Sequence, residues 1–283
     1  MDNEYNRYYI KIQTILGINP KTIHEELATA LGPKAPSYPT VAEWMKTVTS
    51  RWIPHQLNDV QKQERVRLCR ENLAKFRDGS WRLCDIITGD ETWIYHRQIH
   101  HKSANKTWIG EGESPLIIVR RRKFERKNLF SIFFKSNGPV LIHAVDNDET
   151  IDHDYYIENC LKPVVKEIRK QRKSNGTKGI KLLHDKPSPH RHSYIINYLT
   201  EEGINIITHP PFSPDLAPCD YWLNDYIKQN LTDQPDEKSL TRAVSKLIKN
   251  IPEEEFKKTF DKLLERMKLC INNHGGYFEH SIK

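Results

Sequence analysis

The sequence predicts a mixed α/β fold, a sheet with helices on its faces, preceded by a small all-α N-terminal unit. Three observations predict it. From Trp81 onward, segments of strand-like period alternate with segments of helical period. Two β-rich runs, LFSIFFKS and PVLIHAV, are joined by the turn pair Asn137-Gly138. The first 46 residues hold a helix, a break and a second short helix.

The elements follow in chain order. GINPKTIHEELATALG reads as a helix: Asn19 can cap it, Pro20 suits its first turn, Ile23, Leu27 and Leu31 share a face, and Gly32 stops it. After PKAPSYP a second helix starts near Thr40 and runs through Val41, Ala42, Trp44 and Met45. Helix, short connection, helix is the outline of a DNA-binding helix-turn-helix and equally of an ordinary helical hairpin. Residues 47–80 begin as the extended, proline-containing SRWIPHQL and become a charged helix carrying Val60, Arg67 and Leu68, as a connector between domains does. Its apolar anchors Trp52, Ile53 and Leu57 fit packing on their own domain or on a partner. Beyond it, DIITGDETWIYH alternates as a strand, and DHDYYIENCLKPVVKEIRKQRK is helix-like with an interruption at Pro163. GIKLLHD reads as a buried strand, RHSYIINYLTEEG as a helix closed at Gly203, and INIITHP as a further strand.

Composition narrows the partners. Lys and Arg number 44 against 37 Asp and Glu, a formal charge of +7, which favours a polyanionic partner. The run VRRRKFERK is the densest positive stretch and reads as a solvated loop, a phosphate-contacting surface or a nuclear-import signal. The five cysteines are scattered, odd in number and without a C-x-x-C pair, as expected in a reducing compartment. No apolar run approaches the ~18 residues of a membrane span, and the N-terminus lacks a signal-peptide core, so a soluble intracellular protein is expected.

The chemistry lies in three acids. Asp90 falls inside a strand pattern among Ile86, Ile87, Trp93 and Ile94, where a charge is costly to bury unless paired or metal-bound. Asp185 terminates the apolar run of GIKLLHD, at the strand end where functional groups of α/β sheets collect. Asp220, in SPDLAPCDYW, stands where a helix would start after two prolines. Three converging carboxylates suit Mg²⁺, and two such ions about 3.5–4 Å apart can activate an attacking oxygen and stabilise a leaving one. Structural readings stand beside this: Asp215 and Asp220 as helix caps, Asp185 as an Asx-turn former, Asp90 as a buried acid bonded to amides. A zinc site from His184, His190 and His192 lacks an H-E-x-x-H pattern, and Ser213 with His209 and Asp215 makes a poor triad.

TGDETWIYH, LLHDKPSPH and PPFSPDLAPCDYW together resemble the three catalytic blocks of the Tc1/mariner transposases, whose last two aspartates are separated by 34 residues, as Asp185 and Asp220 are here (186–219). SRWIPHQL resembles that family's interdomain motif, and residues 20–46 its first helix-turn-helix. The resemblance implies an RNase H-like catalytic domain over residues 81–283, an interdomain linker and helix over 47–80 and a helix-turn-helix region over 1–46. It implies a nuclear enzyme that binds terminal inverted repeats as a homodimer, then cleaves and joins DNA with Mg²⁺ or Mn²⁺. Asp90, Asp185 and Asp220 would be the catalytic metal ligands. Thr40, Trp44, Lys46, Arg120, Arg121, Arg122 and Lys123 would contact double-stranded DNA, and Trp52, Ile53, Pro54, His55 and Leu57 would form dimer contacts. The segment from Arg97 to about Arg122 would be the loop inserted between the first two strands.

Two departures weigh on catalysis. Relatives carry two helix-turn-helix units, and the chain between Met45 and TVTSRW leaves no room for a second. Relatives also follow the second aspartate with asparagine, whereas here Lys186, Pro187, Ser188 and Pro189 intervene before His190. Lys186 competes electrostatically with a metal ion, and Pro187 removes a backbone donor. The expectation is a transposase or transposase-derived protein with impaired catalysis; the alternative is a non-catalytic DNA-binding or dimerising remnant.

Overall fold

The computed structural model describes residues 2–15, 18–44, 53–98, 125–146, 149, 151–184 and 192–279. The chain divides into two compact units, Met1–Ile53 and Pro54–Lys283.

The first unit contains α1 (Asp2–Ile15), α2 (Pro20–Leu31) and α3 (Tyr38–Trp44). The α2 signals act as read: the Asn19 side chain accepts from the Thr22 amide, Pro20 occupies the first turn, and Gly32 leaves the helix at φ +53°, open to glycine without strain. Ile10, Ile23, Leu27 and Val41 form a small core, with Trp44 packed against it and the Arg7 guanidinium 4.9 Å from that ring. Two readings change. Helix α1 was not foreseen, because its sequence is mostly polar and its large side chains Tyr5, Tyr8 and Ile12 remain exposed. Leu31 is the last residue of α2 and is exposed, so the buried face ends at Leu27.

In the second unit α4 (Asp59–Arg77) is opened by a capping box between Asn58 and Gln61. The sheet follows. β1 (Ile86–Tyr95), β2 (Lys127–Lys135) and β3 (Gly138–Val145) are antiparallel neighbours, with the turn at Asn137-Gly138. α5 (His153–Tyr155) leads through a π-helical turn, Tyr156–Leu161, into α6 (Lys162–Gln171). Pro163 does not end the helix; it lies just past the junction where the π-helical turn passes into α6. β4 (Lys181–Leu183) and β5 (Asn205–Ile206), separated by α7 (Ser193–Glu201), add in parallel to β1, giving the order β3-β2-β1-β4-β5. The chain ends in α8 (Asn224–Asn230), α9 (Glu237–Lys249) and α10 (Glu253–Asn272).

Strand alternation divides the core in two. One face presents Ile86, Ile94, Phe130, Ile132 and Phe134 to α4, α8, α9 and α10. The other presents Ile87 and Phe133 to Tyr156, Cys160, Val164, Ile168, Ile195 and Leu199. Helices therefore cover both faces, as the mixed parallel and antiparallel sheet requires. The fold is a mixed α/β sheet of RNase H-like type.

Candidate active site

Asp90 is the fifth residue of β1 and points to the face covered by α8–α10, the face that Ile86, Thr88, Thr92 and Ile94 share by period-two alternation. Its neighbour Glu91 turns to the opposite face, where Ser131 Oγ donates to it at 2.8 Å. Gly89 has no room for a side chain: a Cβ there would lie 2.3 Å from the buried Phe133 ring. β1 pairs in parallel with β4 up to Thr88 opposite Leu183. Asp90 is two residues beyond Thr88. Asp185 is two residues beyond Leu183 in the chain and lies outside the described residues.

Asp220 belongs to a π-helical turn, Cys219–Leu223, that continues into α8. Such widened turns recur at functional sites because they shift the register of a helix face by one residue. Three contacts fix this one. Cys219 is buried with Sγ 3.9 Å from Thr88 Oγ1 on β1, and burial together with the Asp90 and Asp220 charges pushes its thiol well up from the ordinary range. Tyr221 donates its hydroxyl to the Thr259 carbonyl of α10 at 2.8 Å, and Arg266 stacks 4.1 Å from its ring. Leu223 is fully enclosed in the core.

The two acids meet at Asn224, whose Nδ2 donates to Asp90 Oδ2 at 3.2 Å and to Asp220 Oδ1 at 3.3 Å. Both carboxylates are half-buried and Asn224 is buried. A helix residue and a strand residue 130 positions apart in the chain (90 and 220) are thus joined through one amide. Hard carboxylate oxygens at this junction are the donor type that Mg²⁺ and Mn²⁺ take. Among the described residues no group of three or more His, Cys, Asp or Glu side chains is arranged to hold a metal ion.

Asp215, five residues earlier, behaves differently. It is 2% exposed and forms a two-pronged ion pair with the fully buried Arg65 of α4, at 2.8 and 2.6 Å. Arg65 also donates to Ser213 Oγ and to the Gly275 carbonyl. Gly275, at φ +81°, packs so closely on α4 that a Cβ would lie 2.2 Å from the Lys62 carbonyl oxygen. Asp215 is therefore a structural acid rather than a helix cap. His209 donates through Nε2 to the Ser213 backbone carbonyl, not to its hydroxyl, so no triad forms. Of the histidines weighed for zinc, His184 is buried beside Tyr156, His192 stacks on His153, and His190 lies outside the described residues.

The remaining expected contact residues scatter. Thr40 is bonded to Ser37 at the start of α3, and Trp44 is half-buried in the N-terminal core. Ile53 and Pro54 are exposed, the His55 ring stacks on Phe212 at 3.9 Å, and Leu57 is buried. Lys46, Trp52, Arg120, Arg121, Arg122 and Lys123 lie outside the described residues. Arg65 and Asn224 were not foreseen: each has an ordinary helical position, and only the fold shows what faces it.

Comparison with known proteins agrees with this frame. A family described as transposase (partial DDE domain) matches residues 98–177. The human histone-lysine N-methyltransferase SETMAR is 23% identical over 276 residues, 95% of this chain and 39% of that protein. The mariner Mos1 transposase of Drosophila mauritiana is 24% identical over 233 residues, 81% of this chain and 66% of that one. The chain thus spans less than two thirds of the length of either curated relative. A pre-cleavage Mos1 transpososome superposes with a TM-score of 0.75 at 19% identity over 99% of both chains, and a Mos1 paired-end complex with Mn with 0.74 at 20% over 99% and 100%.

These matches show what the chain resembles: a transposase (partial DDE domain) family over residues 98–177, and the fold of the Mos1 transposase structures over nearly its whole length. The likeness in fold to the Mos1 structures runs from the N-terminal helices to the C-terminal one, and in sequence the chain is similar to the mariner Mos1 transposase and to SETMAR.

Proposed function

We propose that the chain is a mariner-type DNA transposase, or derives directly from one, and acts on DNA phosphodiester bonds through Asp90, Asp185 and Asp220. The observation that carries this reading is the meeting of Asp90 and Asp220 at the amide of Asn224. The third acid is supported by the sequence, in which Asp185 follows by two residues the last residue of β4, the strand paired in parallel with β1. The three carboxylates would hold Mg²⁺ or Mn²⁺. Bound there, divalent cations would activate the attacking water or 3′-hydroxyl and stabilise the leaving oxygen. The protein's own contribution is placement. β1 fixes Asp90, while Cys219, Tyr221 and Arg266 hold the π-helical turn so that Asp220 faces it.

Residues 1–46 would supply a helix-turn-helix for duplex DNA, residues 47–80 the connection and 81–283 the catalytic domain. Thr40, Trp44, Lys46 and the basic run Arg120–Lys123 would touch DNA, and Trp52–Leu57 would serve a homodimer at paired transposon ends. A nuclear location follows from that substrate, and among the described residues no helix is long and apolar enough to cross a membrane. A second reading, a DNA-binding remnant without catalysis, is favoured by the short connection between Trp44 and Asp59 and by Lys186-Pro187.

Nicking of duplex DNA in Mn²⁺, wild type beside Asp90→Ala, separates the two. Cleavage lost in the variant supports the enzyme. Salt-sensitive duplex binding without cleavage, equal in both proteins, supports the remnant and sinks the enzyme.

A further inference from the structure

Asn224 is the first residue of α8 and 8% exposed, and it reaches both acids with the same atom. An asparagine amide has two ends of nearly equal shape, an NH₂ that donates and an oxygen that accepts. With the NH₂ toward the acids, one neutral group bonds to both carboxylates and adds no charge of its own. A half-turn about the last side-chain torsion exchanges the ends without moving the backbone, and it sets Oδ1 where Nδ2 was.

That position has the spacing a metal site needs. Mg²⁺ binds oxygen octahedrally at about 2.0–2.1 Å, so adjacent ligand oxygens lie about 2.9 Å apart. Nδ2 is 3.2 Å from an oxygen of Asp90 and 3.3 Å from one of Asp220. The amide end thus stands within a few tenths of an ångström of ligand-to-ligand spacing from each acid, and amide oxygens are ordinary ligands of hard cations. The backbone sustains the placement: the Asn224 amide bonds to the Cys219 carbonyl across the π-helical turn, which carries the Asn224 side chain beside Asp220 on the face toward β1.

We propose that Asn224 is a metal-site residue with two settings. Without a cation its NH₂ holds Asp90 and Asp220 together; with a divalent cation the amide turns and Oδ1 becomes a ligand beside the two carboxylates. This rests on the reading of Asp90 and Asp220 as metal ligands, and the test keeps the two apart.

Mn²⁺ binding to the full chain, followed by calorimetry and by loss of the free-Mn²⁺ resonance signal, is compared for wild type, Asn224→Ala, Asn224→Asp and Asp90→Ala, with melting in EDTA for each. Asn224→Ala is expected to bind Mn²⁺ about tenfold more weakly or worse and to melt lower in EDTA. Asn224→Asp keeps an oxygen but loses the NH₂, so it should bind Mn²⁺ at least as well as wild type while also melting lower in EDTA. If both Asn224 variants melt lower yet bind Mn²⁺ as wild type does, the residue is structural and the proposal is overturned. If wild type binds no Mn²⁺, or Asp90→Ala binds it equally well, the two-acid site itself fails and the proposal falls with it.

Discussion

Asp215 and Asp220 stand five residues apart in one short block, and the fold treats them in opposite ways. Asp215 is sealed in the core and clasped by both Nη atoms of Arg65, whose remaining donors go to Ser213 and Gly275. Asp220 is half-buried and shares the Asn224 amide with Asp90. A carboxylate whose work is structural receives a fixed internal cation, which offsets the loss of water only because the geometry and extra hydrogen bonds are complete. Asp220, which we propose takes an exchangeable ion, is held instead by a neutral amide. The chemistry of the acid is the same in both places, and its role is set by what is packed opposite.

The largest effect should come from breaking the structural pair. Arg65→Met leaves Asp215 buried without its cation, and about 3–5 kcal/mol of stability should be lost in urea denaturation. Arg65→Met with Asp215→Leu should recover much of that, because a vacated ion pair replaced by apolar groups is often near neutral. Equal stability of Arg65→Met and wild type would show that the pair is not what joins α4 to the Asp215 block. Next in size, Gly275→Ala attacks the same junction from the backbone side. Its positive φ and the 2.2 Å approach of a Cβ to the Lys62 carbonyl oxygen should cost about 1–3 kcal/mol, and an unchanged melting temperature would refute the close packing of the C-terminal turn on α4.

Asp220→Asn tests the other side of the comparison. In EDTA its stability should stay within about 1 kcal/mol of wild type, since the acid is half-buried and its neighbour is a neutral amide. Mn²⁺ binding should nevertheless be lost. A fall in stability as large as that of Arg65→Met would make Asp220 a structural acid like Asp215 and erase the distinction.

How much of this was legible follows from the range of each signal. Period-two alternation and the Asn137-Gly138 turn are local, and β1, β2 and β3 formed where they point. Asp90 and Asp220 stood out as candidates because a charge inside an apolar strand, or just after Pro214 and Pro218, contradicts its surroundings, and the fold brings both to Asn224. Arg65 carried no such contradiction: on a charged helix it resembles Arg67, which forms exposed ion pairs with Glu64 and Glu71. Its partner lies 150 residues away, and only the fold brings α4 onto α10 and the Asp215 block. Asn224 was hidden in the same way, as a polar residue in a helix that a π-helical turn rotates toward β1. Helix α1 escaped because its exposed Tyr5, Tyr8 and Ile12 give a pattern without a clear buried stripe.

Lys135 offers a third way of burying a charge and the smallest expected effect. It ends β2 and is 7% exposed; burial first, and then the Arg172 guanidinium, hold its ammonium below the ordinary lysine range, while Cys84, Asp85 and Glu167 oppose that shift. Unlike the carboxylate of Asp215, this cation has a like charge among its neighbours. The sign follows from linkage. The unfolded chain binds this proton more tightly than the folded one, so stability rises with pH from the folded pKa up to about 10.5, the unfolded value. Below that window both states are protonated and the penalty is fully present, as it is at neutral pH. Lys135→Met keeps most of the buried stem and removes the charge. It should gain less than about 1 kcal/mol at pH 7 and flatten the alkaline rise in stability, read from urea midpoints between pH 7 and 10. A variant that is less stable at pH 7 and retains the alkaline rise would mean that the Lys135 charge is satisfied where it lies, and that this strand end treats its cation as the core treats Asp215.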